Sequence, residues 1–346
     1  MPLPVKKIFF LINFILINCY FFSYAQNISL DNHSNFINKE NKKIILRISH
    51  SGDINSIEHK SIEQFKLSVE KLSNHQMEVK VFAKSQLYNA NEEMEALQVG
   101  ISELAILNFD TIIKSGIKEY ELLKLPYLFT DLNKAHYLLD NQIGQKLGKK
   151  LNDKNIYLLN YWDQGFKQFS SLNNLDSLEN LKDLNVLTNE SENSFHQMEL
   201  LRTNPYYYSD IIKAIKEKKI NVVEDTIINL YHNNVFKYYN NLLITSHSYD
   251  GSAFVINYAF WQRLNSSQQE IVKNSAQLAT QYSRSLTANY EYNIFNWLKK
   301  SNKVTIKIIS QKDLQFFKKI MIVSHEKQLN NQNKELLLEI YQQLKK

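Results

Sequence analysis

The chain has 346 residues, with 41 Lys and Arg against 35 Asp and Glu for a formal net charge of +6, 44% hydrophobic residues, and only 7 Gly, 4 Pro and 1 Cys. That length and apolar content give a folded protein with a large core and, by the usual prior, about two domains, and they exclude disorder as the default. The lysines are spread along the chain without a basic stripe interleaved with aromatics, which excludes nucleic acid as a partner.

Lys6 and Lys7 are followed by an apolar tract, Ile8 to Phe22, and then by Ser23-Tyr24-Ala25. A basic start, a short apolar run and small residues after it form a secretory signal, so residues 1–25 read as a cleaved signal peptide and the mature protein as periplasmic. The tract is shorter than the roughly 20 residues of a membrane span. Export removes functions that need cytoplasmic ATP or NAD. Cys19, the single cysteine, lies inside the signal, so the mature chain has no thiol or disulfide and must be held by its core. Leu16-Ile17-Asn18-Cys19 loosely resembles a lipoprotein site, but Asn18 stands where Gly, Ala or Ser is usual; lipid anchoring at Cys19 is not expected.

Residues 26–42 are polar and Asn-rich and read as a linker. Ile44 to Ile48 is a β-branched run that predicts a strand, ending at Ser49-His50-Ser51-Gly52. Ile62, Phe65, Val69 and Leu72 are spaced for a helix over 57–72, and Met77 to Phe82 alternates as a strand. A helix is expected over 91–99, with Glu92 and Glu93 at the positive end of its dipole and Gly100 as its stop. Short strands follow at Leu104–Leu107, Ile156–Leu159, Asn185–Leu187 and Asn221–Val223, with helical segments between. This rhythm predicts an α/β protein with open sheets covered on both faces. The tail reads as a helix from Ser266 to about Leu298, a strand at Val304–Ile308, and helix again over Lys312–Lys346.

The sequence holds no HExxH or cysteine metal site, no GxSxG elbow, and no Walker or GxGxxG loop, so no catalytic constellation, metal or cofactor is expected. His136 and His196 read as surface or packed residues, Tyr206-Tyr207-Tyr208 as core before sugar platform, and Glu92-Glu93 as a helix start.

Blocks spread through the chain carry a resemblance. They include Val81-Phe82-Ala83-Lys84-Ser85-Gln86-Leu87, Glu93 to Gly100, Leu125-Pro126-Tyr127-Leu128-Phe129, Tyr161 to Lys167, Leu178 to Leu184, Pro205 to Ala214, and Phe260-Trp261-Gln262-Arg263-Leu264. In this order and spacing, from Leu46 to about Ser324, the chain resembles the solute-binding proteins of TRAP transporters, the DctP type of tripartite ATP-independent periplasmic system. Both prolines of the mature chain, Pro126 and Pro205, fall on prolines of that family.

The resemblance implies a two-lobed, type II-like periplasmic binding protein with hinge strands and a long helix spanning both lobes. Lobe one would be 43–164 plus 253–290, and lobe two 165–252 plus 291–346 with the C-terminal helices. It implies a monomer that captures a small organic acid or related solute between the lobes and delivers it to the small and large permease subunits. His50 and Asn108 would face the ligand from lobe one; Lys167, Leu187, Tyr208 and Asp225 would face it from lobe two. The family clamps a ligand carboxylate with an arginine where this chain has Leu187, and with a second where it has Lys167. A guanidinium gives paired hydrogen bonds to a carboxylate, an ammonium gives a point charge, and leucine gives neither. Asp225 replaces a family asparagine. Either the ligand has an apolar, neutral or cationic group where a carboxylate normally sits, or the usual anion is held more weakly through Lys167, or the site has drifted. A ligand-sensing protein that presents itself to a membrane receptor is the alternative function.

Overall fold

The computed structural model describes residues 43–89, 92–175, 184–188, 202–205, 211–328 and 331–345; the signal, Cys19, the linker, His196 and Tyr206 to Tyr208 lie outside them. In chain order the elements are β1 (Ile44–Ser49), α1 (Ile57–Leu72), β2 (Met77–Phe82), α2 (Glu93–Gln98), β3 (Leu104–Asn108), α3 (Phe109–Lys114), a 3-10 segment (Lys118–Lys124), α4 (Leu132–Leu139), α5 (Gln142–Lys150) and β4 (Ile156–Ser171). Then come β5 (Asn185–Thr188), β6 (Arg202–Pro205), α6 (Ile211–Lys216), β7 (Val222–Thr226), α7 (Ile227–His232), β8 (Asn241–Ile244), β9 (Tyr249–Asn257) and α8 (Tyr258–Arg263). The chain closes with α9 (Ser266–Ser301), β10 (Thr305–Ile308), α10 (Gln311–Gln328) and α11 (Asn331–Leu344). Among the described residues no helix is long and apolar enough to cross a membrane.

The strands run in the order β2-β1-β3-β9-β4-β7-β5-β6, with β8 paired to β4 and β10 to β8. β1, β2 and β3 are parallel, as are β5, β6 and β7, whereas β9 and β4 are antiparallel to their neighbours. β4 therefore serves two sheets. Its first part, to Phe166, pairs with β9, and its last part, from Lys167 on, pairs with β7. This gives two sheets joined through one strand, each with its own core.

Period-two alternation builds the first core. Leu104 and Ile106 of β3 and Phe254 and Ile256 of β9 pack on one face with Leu46, Ile48, Phe65 and Val272. Ala105 and Leu107, with Ala253 and Val255, pack on the other face with Tyr120, Phe129, Leu138 and Tyr161. The second core gathers Leu187, Ile211, Val223, Ile227 and Leu242. The helix α9 has 36 residues and a capping box of Asn265 with Gln268, and so runs roughly 54 Å. Its Val272, Ala276 and Ala279 belong to the first core and its Ile294 and Leu298 to the second, so it ties both halves together from one side. α11, grouped with lobe two by the sequence reading, instead places Leu336, Leu337 and Ile340 in the first core.

β4 is 16 residues long, against the four apolar residues Ile156–Leu159 that the pattern predicts. Asn160, Asp163, Gln164 and Gly165 interrupt the apolar run, and the register with β9 shifts between Asp163 and Gly165. Gly165 holds φ at +104°, where a side chain is strained even though the nearest atom to an added Cβ is 3.8 Å away. Gly165→Ala is thus a test of backbone strain alone. It should lower the unfolding free energy by about 1–3 kcal/mol in urea melts.

Candidate functional site

Parallel strands leave their carboxyl ends facing the crevice, the usual place for a ligand in open α/β sheets. His50 follows the end of β1 and Asn108 ends β3; Thr188 ends β5 and Asp225 lies one residue from the end of β7. Lys167 stands where β4 leaves β9 for β7, opposite Thr226, and its backbone N–H donates to Ser248 O at 2.8 Å. Its side chain is fully buried.

Around Lys167 the fold gathers charge from four further elements. Lys124, at the end of the 3-10 segment, is buried and donates to Asp110 of α3, and its carbonyl accepts from Ser248 Oγ at 3.0 Å. Asp250 sits near the start of β9, opposite Gly165. Asp225 is fully buried, and its Oδ1 accepts from Thr226 N at 2.7 Å and from Asn229 Nδ2 at 2.9 Å. Burial pushes the Asp250 carboxyl up to about 6; Lys167 and Lys124 oppose the rise, and Asp110 and Asp225 add to it. Among the described residues, two ammonium groups and three carboxylates thus meet where the two sheets join.

Glu224, next to Asp225, has a structural role. It pairs with His247 Nε2 at 2.7 Å, His247 Nδ1 meets Thr245 Oγ1 at 2.7 Å, and the Phe169 ring stacks on the imidazole.

A second polar group lies at the end of β1. His50 is fully buried; its Nε2 meets His59 Nδ1 at 3.0 Å, and its Nδ1 lies 3.5 Å from Glu58 Oε2 without closing a hydrogen bond. Partial burial, with the neighbouring His50, lowers the pKa of His59. Glu93 in α2 is buried with an unpartnered Oε1, and burial, reinforced by Glu58, pushes its carboxyl up to about 8. The exposed Glu92 takes the helix-start role expected of the pair, accepting from Asn89 N at 3.0 Å.

The predicted site residues divide accordingly. Lys167 and Asp225 belong to one cluster, and His50 lies in the second group. Asn108 is next to Asp110 but uses its Oδ1 to cap α3, accepting from Thr111 N at 2.8 Å. Leu187 is packed in the second core and pairs in register with Val223, so the family's arginine position contributes apolar packing here. Tyr208 lies outside the described residues. His136, read as a surface or packed residue, bonds Asp163 at 2.7 Å, with Tyr249 Oη on the other carboxylate oxygen at 2.7 Å. Sequence reasoning missed Lys124, Asp110, Asp250 and Glu93. The signal for Lys124 and Asp250 was a charge inside an apolar stretch, Leu122-Leu123-Lys124-Leu125 and Tyr249 to Ile256.

Among the described residues no group of His, Cys, Asp and Glu could hold a metal ion. A groove of about 570 Å³, lined by Leu139, Leu159, Asn160, Tyr161, Gln281 and Arg284 among others, contains none of the clustered residues. Its Arg284 forms a bidentate pair with Asp140.

Known proteins agree with this architecture. A TRAP periplasmic solute-binding protein from Ochrobactrum anthropi, solved with its C-terminus in the ligand pocket, superposes with a TM-score of 0.81 at 21% identity, covering 88% of this chain and 96% of that one. Another from Sulfurospirillum deleyianum, with bound succinate, gives 0.75 at 23% identity, covering 86% and 98%. The C4-dicarboxylate-binding periplasmic protein DctP of Rhodobacter capsulatus is 25% identical over 245 residues, 70% of this chain and 74% of its own length. The 2,3-diketo-L-gulonate-binding periplasmic protein YiaO of Escherichia coli is 24% identical over 271 residues, 77% and 82%. The DctP profile, bacterial extracellular solute-binding protein family 7, matches residues 48–332, and the chain belongs to that family.

Proposed function

We propose that this chain captures a small organic acid in the crevice between its two sheets, closes on it, and passes it unchanged to the membrane subunits of a TRAP-type transporter. As a member of a solute-binding family it is not an enzyme. The observation that carries the reading is the charged cluster of Lys167, Lys124, Asp110, Asp225 and Asp250, assembled from both sheets at the strand they share. Lys167 is the group for a ligand carboxylate: its buried side chain lies on the strand that the two sheets share. His50 and Glu93 offer further polar contacts, and Tyr208 is retained as a contact from the second lobe.

Closure favours the state in which both lobes touch the ligand, so binding shifts a hinge equilibrium. The crossing strand β4 with Gly165 is the hinge in this reading. Lobe one is 43–164 plus 253–290, with α11 added to it, and lobe two is 165–252 plus 291–328. The mature protein is a periplasmic monomer after removal of residues 1–25. That the relatives above bind C4-dicarboxylates, succinate and a diketo sugar acid supports an organic acid here.

The test is thermal melting of the purified mature protein against organic acids, sugar acids, amino acids, sugars and polyamines. A true ligand at about 100 times its dissociation constant adds about 2.7 kcal/mol to stability. Small-angle scattering should then show contraction on binding. If no solute of the panel moves the melt, the reading fails.

A further inference from the structure

Asp250 is the member of the cluster that capture of a plain organic acid leaves without a purpose. The residue is 7% exposed. Among the described residues its carboxylate has neither a hydrogen bond nor an ion-pair contact, and burying a carboxylate without donors is costly. The residue across from it is Gly165, so no side chain stands beside Asp250 on the paired strand; a Cβ added there would be in ordinary contact with Glu291 Oε2 at 3.8 Å and with the Thr226 side chain at 3.9 Å. The charged groups acting on Asp250 are Lys167, Lys124, Asp110 and Asp225, of which Lys124 is closed on Asp110. Among the described residues the cluster, counting Asp250, holds three carboxylates and two ammonium groups. A dicarboxylate would add two more negative charges to these three. A ligand with one carboxylate and one cationic nitrogen brings none in balance, and its N–H groups are the donors Asp250 lacks.

We propose that the ligand of this site carries a cationic nitrogen as well as a carboxylate, with Asp250 accepting from the nitrogen and Lys167 facing the acid. The proposal rests on the solute-binding reading of the same crevice and narrows its substrate class to amino-acid-like zwitterions. Asp225 completes the negative side of the pocket but is tied by one oxygen to Thr226 and Asn229, which leaves Asp250 as the reader of the charge.

The experiment uses matched pairs that differ in one group: succinate with 4-aminobutyrate, glutarate with 5-aminopentanoate, and gluconate with 2-amino-2-deoxygluconate. Affinities are measured by calorimetry on the mature chain near neutral pH. The amine-bearing member should bind at least about tenfold tighter in each pair that binds, the range of one hydrogen bond to a charged group. Asp250→Asn should then cut its affinity by about 10- to 100-fold while leaving the partner acid unchanged or tighter. Tighter binding of the acids without nitrogen would overturn the proposal while leaving the solute-binding reading intact. So would an Asp250→Asn variant that weakens both members alike. The wild-type pairs decide the matter even if that variant does not fold. Silence of all six compounds overturns the zwitterion, and silence of the whole solute panel overturns the parent reading with it.

Discussion

Lys167→Met should weaken binding of any carboxylate ligand by at least about 30-fold, the equivalent of roughly 2 kcal/mol for removing one partner of a buried charge pair. Methionine keeps the length and the apolar stem and deletes only the ammonium. The lysine is fully buried at the point where β4 changes partners, so no solvent screens the charge it presents. The same substitution should destabilise the empty protein by about 1–2 kcal/mol, the worth of about one pKa unit, because the charge of Lys167 acts on Asp250 without an ion-pair contact and Asp250 can take up a proton in response. Burial is the main reason the Asp250 carboxyl lies at about 6, and Lys167 is the first influence opposing it. Without Lys167 the carboxyl moves higher. A carboxyl raised in the folded state binds protons that the unfolded chain has released, so stability falls as pH rises from the ordinary carboxylate range through the folded value. In the wild type that loss ends near pH 6; in Lys167→Met it should continue to higher pH. Urea unfolding across pH, with calorimetry for the ligand, reads both effects. Unchanged affinity for every carboxylate would remove Lys167 from the site.

How far the sequence revealed this arrangement depended on what each residue was facing. Where a residue faces only the core, the pattern was legible. Helix 57–72 and strand 77–82 match their expected bounds, and Leu104 to Leu107 feed alternate faces of one sheet. Where the chain faces the crevice, the pattern broke. Asn160 to Gly165 interrupt β4, and Asp250, Gly251 and Ser252 hide the start of β9, so the two strands that join the halves were the ones under-read. Local rules fail at sites because the side chains there serve a ligand rather than the core. The family resemblance pointed to Lys167 and Asp225, which the fold does bring together. It could not reveal Lys124 or Asp250, because the charges around them lie more than ten residues away along the chain and meet them only through tertiary structure. Leu187 is the reverse case. Its position in the family pattern suggested a ligand contact, and the fold uses its side chain in the second core.

Glu93→Gln should stabilise the protein increasingly as pH rises, by a few kcal/mol near pH 9 and by almost nothing near pH 4. Glu93 is 6% exposed with an unpartnered oxygen, and burial raises its carboxyl to about 8, with Glu58 adding to the rise. In the unfolded chain the same group ionises in the ordinary glutamate range. Below that range both states hold the proton and the group contributes no pH dependence. Between the ordinary value and about 8 the folded state keeps a proton that the unfolded state has lost, so the wild type loses stability with each unit of rising pH, by at most about 1.4 kcal/mol. Above the folded value the carboxylate is ionised in place and its burial is unfavourable. Glutamine has the same shape and no charge at any pH, so the difference between variant and wild type isolates this one group. The helix it begins, α2, has six residues, and the positive end of so short a dipole does not outweigh the loss of water. Thermal or urea melts of both proteins from about pH 4 to 9 measure the difference. A constant offset across that range would mean that Glu93 titrates normally and is hydrated in solution, and would take it out of the buried wall of the crevice.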